Sequence, residues 1–444
     1  MKKQAIFQFK PFSRKQTQIL TWWLDNSPVK DFDGIIADGS IRSGKTLSMS
    51  LSFVLWAMTR FNGQNFGMAG KTIGSFRRNV LTPLKVMIKS RGYTVNDKRA
   101  DNLVIISKGD IENSFYIFGG KDERSQDLVQ GITLAGMLFD EVALMPQSFV
   151  NQATGRCSVE GSKFWFNCNP DNPQHFFYTD WVKQNKEKSL LYLHFTMDDN
   201  LSLSEKMKER YKRMYTGVFY KRFILGLWVV AEGLCFEQFA NHPEKWIKDK
   251  KKWLEDKEDK DINFISVGVD FGGNNSKTTF VATAIHGNFE RIGVIKNYKL
   301  DGPKGTIDAN RLNTEFVRFI KELQAEYKNA PIRYAFCDCA ETYLITGIKN
   351  AVKSAGLGLA VGDSDKGSII DRIVCVNTLL NMDRVYILRS CGQVINALRS
   401  AMWDAKAAAK GIDKRKDDFT TDIDTMDAME YSISRFISRL TPLK

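Results

Sequence analysis

The sequence predicts two successive α/β domains, and three patterns along the chain indicate this fold class. In the first half, short apolar strands alternate with helical segments, which is typical of a mostly parallel sheet covered by helices. A run of mixed charge at 241–261, with seven lysines and seven acidic residues, then interrupts the chain. Strands begin again directly after this run and open with a meander, so the second half is expected to form a mixed sheet. We therefore expect domains at 1–245 and 263–444, joined by a charged linker at 246–262.

The individual elements are predicted from apolar runs that are bounded by turn residues. Strands are expected in the first half at 34–38, 66–69, 103–107, 114–118, 136–140 and 163–167, with a helix at 47–60. The second half is expected to contain strands at 264–270, 279–285, 289–299 and 332–338, and helices at 307–328, 368–381 and 390–410.

Composition narrows the class of partner. The 444 residues include 64 basic and 51 acidic side chains, which gives a net charge of +13. Such an excess predicts a polyanionic partner, nucleic acid first and an anionic membrane second. The membrane is disfavoured because the most apolar helical stretch, Leu47–Met58, is too short to span a bilayer, and the N-terminal segment lacks the apolar core of a secretory signal. Seven cysteines without a Cys-x-x-Cys pair indicate reduced thiols in a cytosolic compartment.

The first half contains the pattern of a phosphate-binding loop. The loop reads Gly39, Ser40, Ile41, Arg42, Ser43, Gly44, Lys45 and Thr46. Glycines let backbone N–H groups curl around a phosphate, Lys45 reaches the β- and γ-phosphates, and the Thr46 hydroxyl ligates Mg²⁺. The loop follows an apolar strand and opens a helix whose N-terminus faces the phosphates. The sequence therefore predicts an ATP site with Mg²⁺.

A partner for this loop is predicted at the end of another apolar strand. The run from Leu134 to Phe139 is followed by Asp140 and Glu141. Asp140 is expected to hold Mg²⁺ through water, and Glu141 to polarise the attacking water as a general base. An acidic base beside the metal ligand favours a hydrolase over a phosphotransferase.

Two further features of the first half have alternative interpretations. Arg42 either is a solvated loop residue or stabilises the transition-state charge, on its own nucleotide or on a neighbour's. Asn167, Cys168, Asn169 and Pro170 follow the next strand. They either form a simple Asn-Pro turn or sense the γ-phosphate and couple hydrolysis to movement.

Three aspartates of the second half predict a metal-dependent nuclease site. Asp270 and Asp338 each end a predicted strand, and Asp427 lies in the first turn of a predicted C-terminal helix. This arrangement is the one in which RNase H-like nucleases hold two ions, either Mg²⁺ or Mn²⁺, because such ions prefer carboxylate oxygen. Gly272 and Gly273 would allow a substrate backbone to approach. Possible substitutes remain, since Glu341 lies near Asp338 and both Asp422 and Asp424 lie near Asp427.

A phosphate-loop ATPase followed by an RNase H-like nuclease resembles the large terminase subunit of tailed bacteriophages. The resemblance spans nearly the whole chain and is nearest to the subfamily with an Asn-x-Asn-Pro segment. Phe236-Glu-Gln-Phe239 and Gly367-Ser-Ile-Ile-Asp371 also resemble that subfamily. The family's phosphate-loop arginine often lies three residues before the second glycine, whereas Arg42 lies two before it.

The resemblance implies a motor that uses ATP to drive viral DNA into the procapsid and an endonuclease that cuts concatemeric DNA. By the same resemblance, Lys45, Thr46 and Asp140 contact the nucleotide and metal, Glu141 is catalytic, and Asn167 or Asn169 belongs to the coupling motif. It assigns Asp270, Asp338 and Asp427 to the nuclease metals. An upstream glutamine that reads adenine is also typical of the family, a role that Gln16 or Gln18 could fill.

The implied partners are double-stranded DNA, the portal of the procapsid and the small terminase subunit. The family works as a homo-oligomeric ring on the portal, although isolated subunits are frequently monomeric, and acts in the host cytoplasm. Two other functions fit parts of the sequence. A DNA repair or remodelling enzyme would combine the same two modules but should carry helicase motifs, which we do not find. A nucleotide switch without catalysis would not need Asp140-Glu141 or the three aspartates.

Overall fold

The computed structural model describes residues 9–256, 258–272, 277–300, 309–417 and 422–441. The chain divides into two compact units. The first consists of Met1–Lys212 and Val218–Val230, and the second of Arg213–Gly217 and Ala231–Lys444.

The first unit is built on an eight-stranded sheet. Its strands are β1 Gly34–Gly39, β2 Asn65–Gly70, β3 Thr94–Lys98, β4 Leu103–Lys108, β5 Ile111–Gly119, β6 Gly136–Asp140, β7 Lys163–Asn167 and β8 Leu190–Phe195. They lie in the order β3-β4-β5-β2-β6-β7-β1-β8. Along this order, every neighbouring pair in β5-β2-β6-β7-β1-β8 is parallel, whereas β3-β4 and β4-β5 are antiparallel. The longer helices are Arg14–Thr21, Lys45–Arg60, Thr82–Lys89, Gln147–Gly155 and Glu205–Met214.

Hydrophobic layers cover both faces of this sheet. Alternate residues of β1 enter different clusters: Ile35 and Ala37 pack with the helix Lys45–Arg60, and Ile36 packs with the opposite cluster. On the first face, the rings of Phe53 and Trp56 contact Trp165 with centroids 5.2 and 4.7 Å apart. The helix is thereby fixed against the sheet, so the loop that opens it has a rigid base.

The second unit contains a mixed seven-stranded sheet. Its strands are β9 Ile247–Lys248, β10 Ile262–Asp270, β11 Thr279–His286, β12 Arg291–Lys299, β13 Ile332–Cys337, β14 Ala360–Asp363 and β15 Val385–Leu388. They lie in the order β14-β13-β10-β11-β12-β15-β9, with β10-β11 and β11-β12 antiparallel and the others parallel. The longer helices are Ala309–Glu326, Thr342–Ser354, Ile369–Asn381, Gly392–Ser400 and Ile423–Ile433. The two sheets confirm the predicted α/β class, mostly parallel in the first unit and mixed in the second.

The segment predicted as a linker, 246–262, is instead folded into the second unit. Its strand β9 pairs with β15, and the side chains of Trp246 and Trp253 are buried at 2% and 1% exposure. Trp253 packs against Tyr327 and Tyr386. The charged residues occupy the outward positions between these tryptophans, so the charge count alone gave the wrong boundary.

Other differences concern elements with weak sequence signals. The helix expected at 390–410 is divided, because it ends at Ser400 and a short helix, Ala405–Ala408, follows. Several elements were not predicted: the strands β3, β8, β9, β14 and β15, and the helices Arg14–Thr21, Thr82–Lys89, Gln147–Gly155, Glu205–Met214 and Thr342–Ser354. Part of the helix expected at 307–328 lies outside the described residues; its described portion begins at Ala309 and ends at Glu326.

Candidate functional site

The phosphate loop lies at the carboxyl edge of the first sheet. Because β6, β7 and β1 are adjacent and parallel, their ends meet there, and Asp140 is in register with Asn167. The loop leaves β1 at Gly39, whose φ is 121° and whose Cβ, if present, would lie 1.9 Å from the Phe195 carbonyl oxygen. Only glycine fits this backbone position. Arg42, with φ 57°, also takes the left-handed conformation.

Lys45 is buried within the loop. Its Nζ donates to the carbonyls of Ser40 at 2.7 Å and Gly39 at 3.1 Å, and to Asn169 Oδ1 at 3.3 Å. Burial lowers its pKa to about 8, while nearby acidic charges, including Asp140, oppose the shift. The ammonium group is therefore held by oxygen atoms of the loop backbone and of Asn169.

Thr46, Asp140 and Asn167 form one hydrogen-bonded cluster. Thr46 Oγ1 donates to Asp140 Oδ1 at 3.1 Å. Asn167 Nδ2 donates to Asp140 Oδ1 at 2.5 Å and to Thr46 Oγ1 at 2.8 Å. Burial, reinforced by the charge of Glu141, raises the pKa of Asp140 to about 7. The hydroxyl and carboxyl oxygens suit Mg²⁺, and the Asn167 Oδ1 atom is buried without a hydrogen bond among the described residues.

The remaining predicted residues of the first unit surround the loop. Glu141 is the residue that follows β6, and its φ of 60° turns the backbone sharply after Asp140. Arg42 lies over the Tyr211 ring at 5.6 Å, and its carbonyl accepts from Asn200 Nδ2 at 2.7 Å. Gln16 packs directly against the loop. A Cβ added at Gly44 would lie only 2.2 Å from the Gln16 Nε2 atom.

A buried polar cluster beneath the loop was not predicted. Asp38, with 0% exposure, accepts hydrogen bonds from Tyr192 Oη at 3.0 Å, His194 Nδ1 at 2.9 Å and Trp228 Nε1 at 2.7 Å. Asp38 directly precedes the loop, so these three donors fix the point at which the loop begins. An acidic residue at the end of an otherwise apolar strand was the one signal for this cluster.

The segment 220–230 also contacts the loop. Ile41 N donates to the Phe223 carbonyl at 2.9 Å. The buried Arg222 donates to Asp171 at 2.7 Å and to the Val229 carbonyl. Because Asp171 directly follows the Asn-Cys-Asn-Pro segment, one stretch of chain contacts both the phosphate loop and the segment predicted to sense the γ-phosphate.

The three predicted aspartates of the second unit converge at one edge of its sheet. β10 and β13 are parallel neighbours with Val269 opposite Cys337, so Asp270 and Asp338 lie side by side at their ends. Asp427 lies on the helix Ile423–Ile433, which packs directly on β10. Burial first, and then the charges of Asp427, Asp424 and Asp338, raise the pKa of Asp270 to about 9.

Basic side chains hold two of these carboxylates. Asp338 Oδ1 accepts from Lys366 at 2.6 Å, and Asp427 accepts from Arg372 at 3.0 Å and from Arg415. In the described part of the chain, no three acidic, histidine or cysteine side chains are already grouped as a metal site. The donor set nevertheless fits hard divalent ions, because it offers carboxylate oxygens alone.

The alternative ligands differ in their surroundings. Asp422 caps its helix through Thr425 N at 3.2 Å and pairs with Lys299 at 2.8 Å. Asp424 accepts from Lys277 N at 2.8 Å and is among the charges that act on Asp270. Gly272 N donates to Thr278 Oγ1 at 3.0 Å, and Gly273 lies outside the described residues.

Among the residues that the structure describes, no helix has the length and apolar character needed to cross a membrane.

Comparison with known proteins identifies the family. Residues 36–243 match the family described as "Terminase large subunit, T4likevirus-type, N-terminal". A solved structure of the large terminase from a thermophilic bacteriophage is 43% identical, with a TM-score of 0.84, and the match covers 96% of this chain and 100% of that one. Two further structures of that phage's large terminase are similar to the same degree. The complex with ADP is 42% identical with a TM-score of 0.82, and the match covers 96% of this chain and 99% of that one. The complex with ATP-gamma-S is 42% identical with a TM-score of 0.81, and the match covers 95% of this chain and 99% of that one. The comparison with curated proteins gives no match. With 43% identity over nearly the full length of both chains, this chain belongs to the large terminase family, the DNA-packaging motors of bacteriophages.

Proposed function

We propose that the first unit is the ATPase domain of the packaging motor, with its active site at the phosphate loop. The contact that best supports this proposal is the hydrogen-bonded cluster of Thr46, Asp140 and Asn167, which brings together the two residues expected to hold the metal. The complexes of the thermophilic phage protein with ADP and ATP-gamma-S support nucleotide binding by a similar chain.

In this proposal each residue of the loop region has one task. The backbone of Gly39–Gly44 and the Lys45 ammonium bind the phosphates, while Thr46 and Asp140 would hold Mg²⁺. Magnesium, when bound, neutralises charge that develops on the phosphate oxygens. Glu141 removes the proton from the attacking water. Asn169, which contacts Lys45 at 3.3 Å, is placed to respond when a γ-phosphate replaces it, and Arg42 stabilises the transition-state charge. Gln16 would contact the nucleotide from beside Gly44.

We also propose that the second unit is the nuclease domain, with Asp270, Asp338 and Asp427 as the ligands of two Mg²⁺ or Mn²⁺ ions. These ions would supply the charge that stabilises an in-line displacement at a DNA phosphate. Lys366 and Arg372, which now hold Asp338 and Asp427, keep the carboxylates oriented at the sheet edge. Double-stranded DNA, the portal of the procapsid and the small terminase subunit are the proposed partners, with a homo-oligomeric ring on the portal as the working assembly in the host cytoplasm. The near-complete match to a large terminase disfavours a repair or remodelling enzyme.

The test separates the two activities in the full-length protein. Lys45→Ala and Glu141→Gln should each reduce ATP turnover by about 10²-fold or more while leaving metal-dependent plasmid cleavage intact. Asp270→Asn should abolish cleavage and leave ATP turnover intact. Lys89→Ala and Asp256→Asn, at exposed positions of the two units, serve as matched controls. Undiminished ATP turnover in Lys45→Ala would refute the ATPase site, and undiminished cleavage in Asp270→Asn would refute the nuclease site.

A further inference from the structure

Asp427, which is partly exposed, belongs to a network of four charged side chains whose other three members are buried. Arg415 and Arg372 each contact both Asp427 and Glu430. The side chains of Arg415, Glu430 and Arg372 are 2%, 1% and 8% exposed. Glu430 lies three residues after Asp427, so one face of the same helix carries both carboxylates.

We propose that Arg372, Arg415 and Glu430 are positioning residues that present a single oxygen of Asp427 to the nuclease metals. This inference rests on the proposed function of the second unit. It adds three residues outside the predicted ligand set and assigns a distinct role to each oxygen of Asp427.

The hydrogen bonds distinguish the two oxygens. Arg372 Nη1 donates to Asp427 Oδ1 at 3.0 Å, and Arg415 Nη2 donates to that same oxygen. Within the described ranges, Oδ2 receives no hydrogen bond. Two donors on one oxygen fix the rotation of the carboxylate, and they leave the other oxygen for an ion. A pair of arginines that blocked metal binding would be expected to engage both oxygens instead.

Glu430 explains how two guanidinium groups can be buried beside a metal site. Its Oε1 accepts from Arg415 Nη1 at 2.7 Å, and its Oε2 contacts Arg372 Nη1 at 2.9 Å. Two positive and two negative groups then balance within the network. Burial of an unbalanced charge is costly, so removal of Glu430 would leave both arginines with Asp427 as their shared partner.

Arginine suits this role better than lysine. Its planar fork can contact two carboxylates at once, and it keeps its proton at all working pH values. The contrast lies in the same site, where Asp338 is held by the partly exposed Lys366 and by the backbone N–H of Ala340. Lys366 and Arg372 both lie over the ring of the buried Tyr431, at 5.7 and 5.5 Å from its centroid. This ring therefore supports the cation beside Asp338 and the cation beside Asp427.

The test measures metal binding as well as cleavage. Calorimetric titration of the full-length protein with Mn²⁺, without DNA or nucleotide, compares wild type with Arg372→Gln, Arg372→Lys, Glu430→Gln and Asp427→Asn. We expect Arg372→Gln and Glu430→Gln to weaken Mn²⁺ binding by about 10–100-fold, and Arg372→Lys to recover part of the loss. The metal concentration that gives half-maximal plasmid cleavage should rise by a similar factor. Circular dichroism of the same preparations reports on folding, and ATP turnover reports that the first unit remains intact.

The outcomes separate this inference from the proposed metal site. Unchanged Mn²⁺ binding in Asp427→Asn would refute the metal site itself. If Asp427→Asn weakens binding but Arg372→Gln and Glu430→Gln bind Mn²⁺ as wild type, the positioning role is wrong. Tighter binding in these two variants would also refute it and would show that the arginines compete with the ion. Should Glu430→Gln fail to fold, Arg372→Gln and Arg372→Lys still decide between these outcomes.

Discussion

Removal of one hydroxyl, in Tyr192→Phe, tests whether the Asp38 cluster stabilises the first unit. The hydroxyl donates to Asp38 Oδ2 at 3.0 Å, and the same oxygen also accepts from Trp228 Nε1 at 2.7 Å. The variant keeps the aromatic ring and therefore leaves little cavity. It removes one charge-assisted hydrogen bond and nothing else of comparable size.

The expected loss follows from the burial of the acceptor. A hydrogen bond to a charged group contributes about 1.5–3 kcal/mol. Asp38 is fully buried, so water cannot replace the lost donor, but Oδ2 retains Trp228 and Oδ1 retains His194. We therefore expect the free energy of unfolding to fall by about 1.5–2 kcal/mol, in the lower half of that range.

Urea unfolding followed by circular dichroism provides the measurement. Tyr327→Phe is the matched control, because its hydroxyl makes a long, weak contact of 3.5 Å with the Ile295 carbonyl. Removal of that hydroxyl should lower the free energy of unfolding by less than about 0.5 kcal/mol. A loss in Tyr192→Phe no larger than that of the control would refute the view that Asp38 anchors the start of the phosphate loop.

Three further predictions concern single positions. In Gly268→Ala the new Cβ would lie 1.8 Å from a carbonyl oxygen of the helix that carries Asp427. Because the helix must move, DNA cleavage should fall by about 10²-fold while ATP turnover persists. The control Gly392→Ala, whose new Cβ meets no atom within 4 Å, should cleave DNA normally. Arg222→Met removes a buried guanidinium and should lower the free energy of unfolding by about 2–3 kcal/mol in the same urea assay; a loss below about 1 kcal/mol would contradict this. Burial lowers the pKa of His286 to about 4, so between its unfolded pKa near 6.5 and pH 4 the unfolded state binds more protons, and stability should fall as the pH drops through this window. Thermal melts at pH 7 and pH 5 should show a smaller drop for His286→Gln than for wild type, and equal drops would contradict the assignment.

The sequence was sufficient for the features that depend on local pattern. The phosphate loop, the strand that ends at Asp140 and the strand that ends at Asp270 are each defined by a short apolar run with a special residue at its end. The convergence of Asp140 with Asn167 then follows from the expectation of a parallel sheet, because carboxyl ends of parallel neighbours meet at one edge.

The features that were missed depend on contacts between distant parts of the chain. Asp38 obtains its donors from residues more than 150 positions away, and no local pattern marks them as partners. β3, Thr94–Lys98, is a polar edge strand that pairs with β4, and its Asp97 is held by Arg77 and Lys85 from an earlier part of the chain. The run of charge around Trp246 and Trp253 was a conspicuous local pattern, and it predicted a linker. The segment is folded instead, because these two tryptophans are buried.

The backbone contacts of the phosphate loop also bear on how the motor uses its nucleotide. Ser40 N donates to the Phe195 carbonyl and Ile41 N to the Phe223 carbonyl, so the entropy of ordering this segment is lost when the protein folds and not when ATP arrives. In the proposed function, each nucleotide therefore enters a cradle that is already shaped, and little of its binding free energy is consumed in forming the site. The remainder is available for mechanical work, and in the proposed function Asn169, which contacts Lys45 at 3.3 Å, transmits it by exchanging that contact.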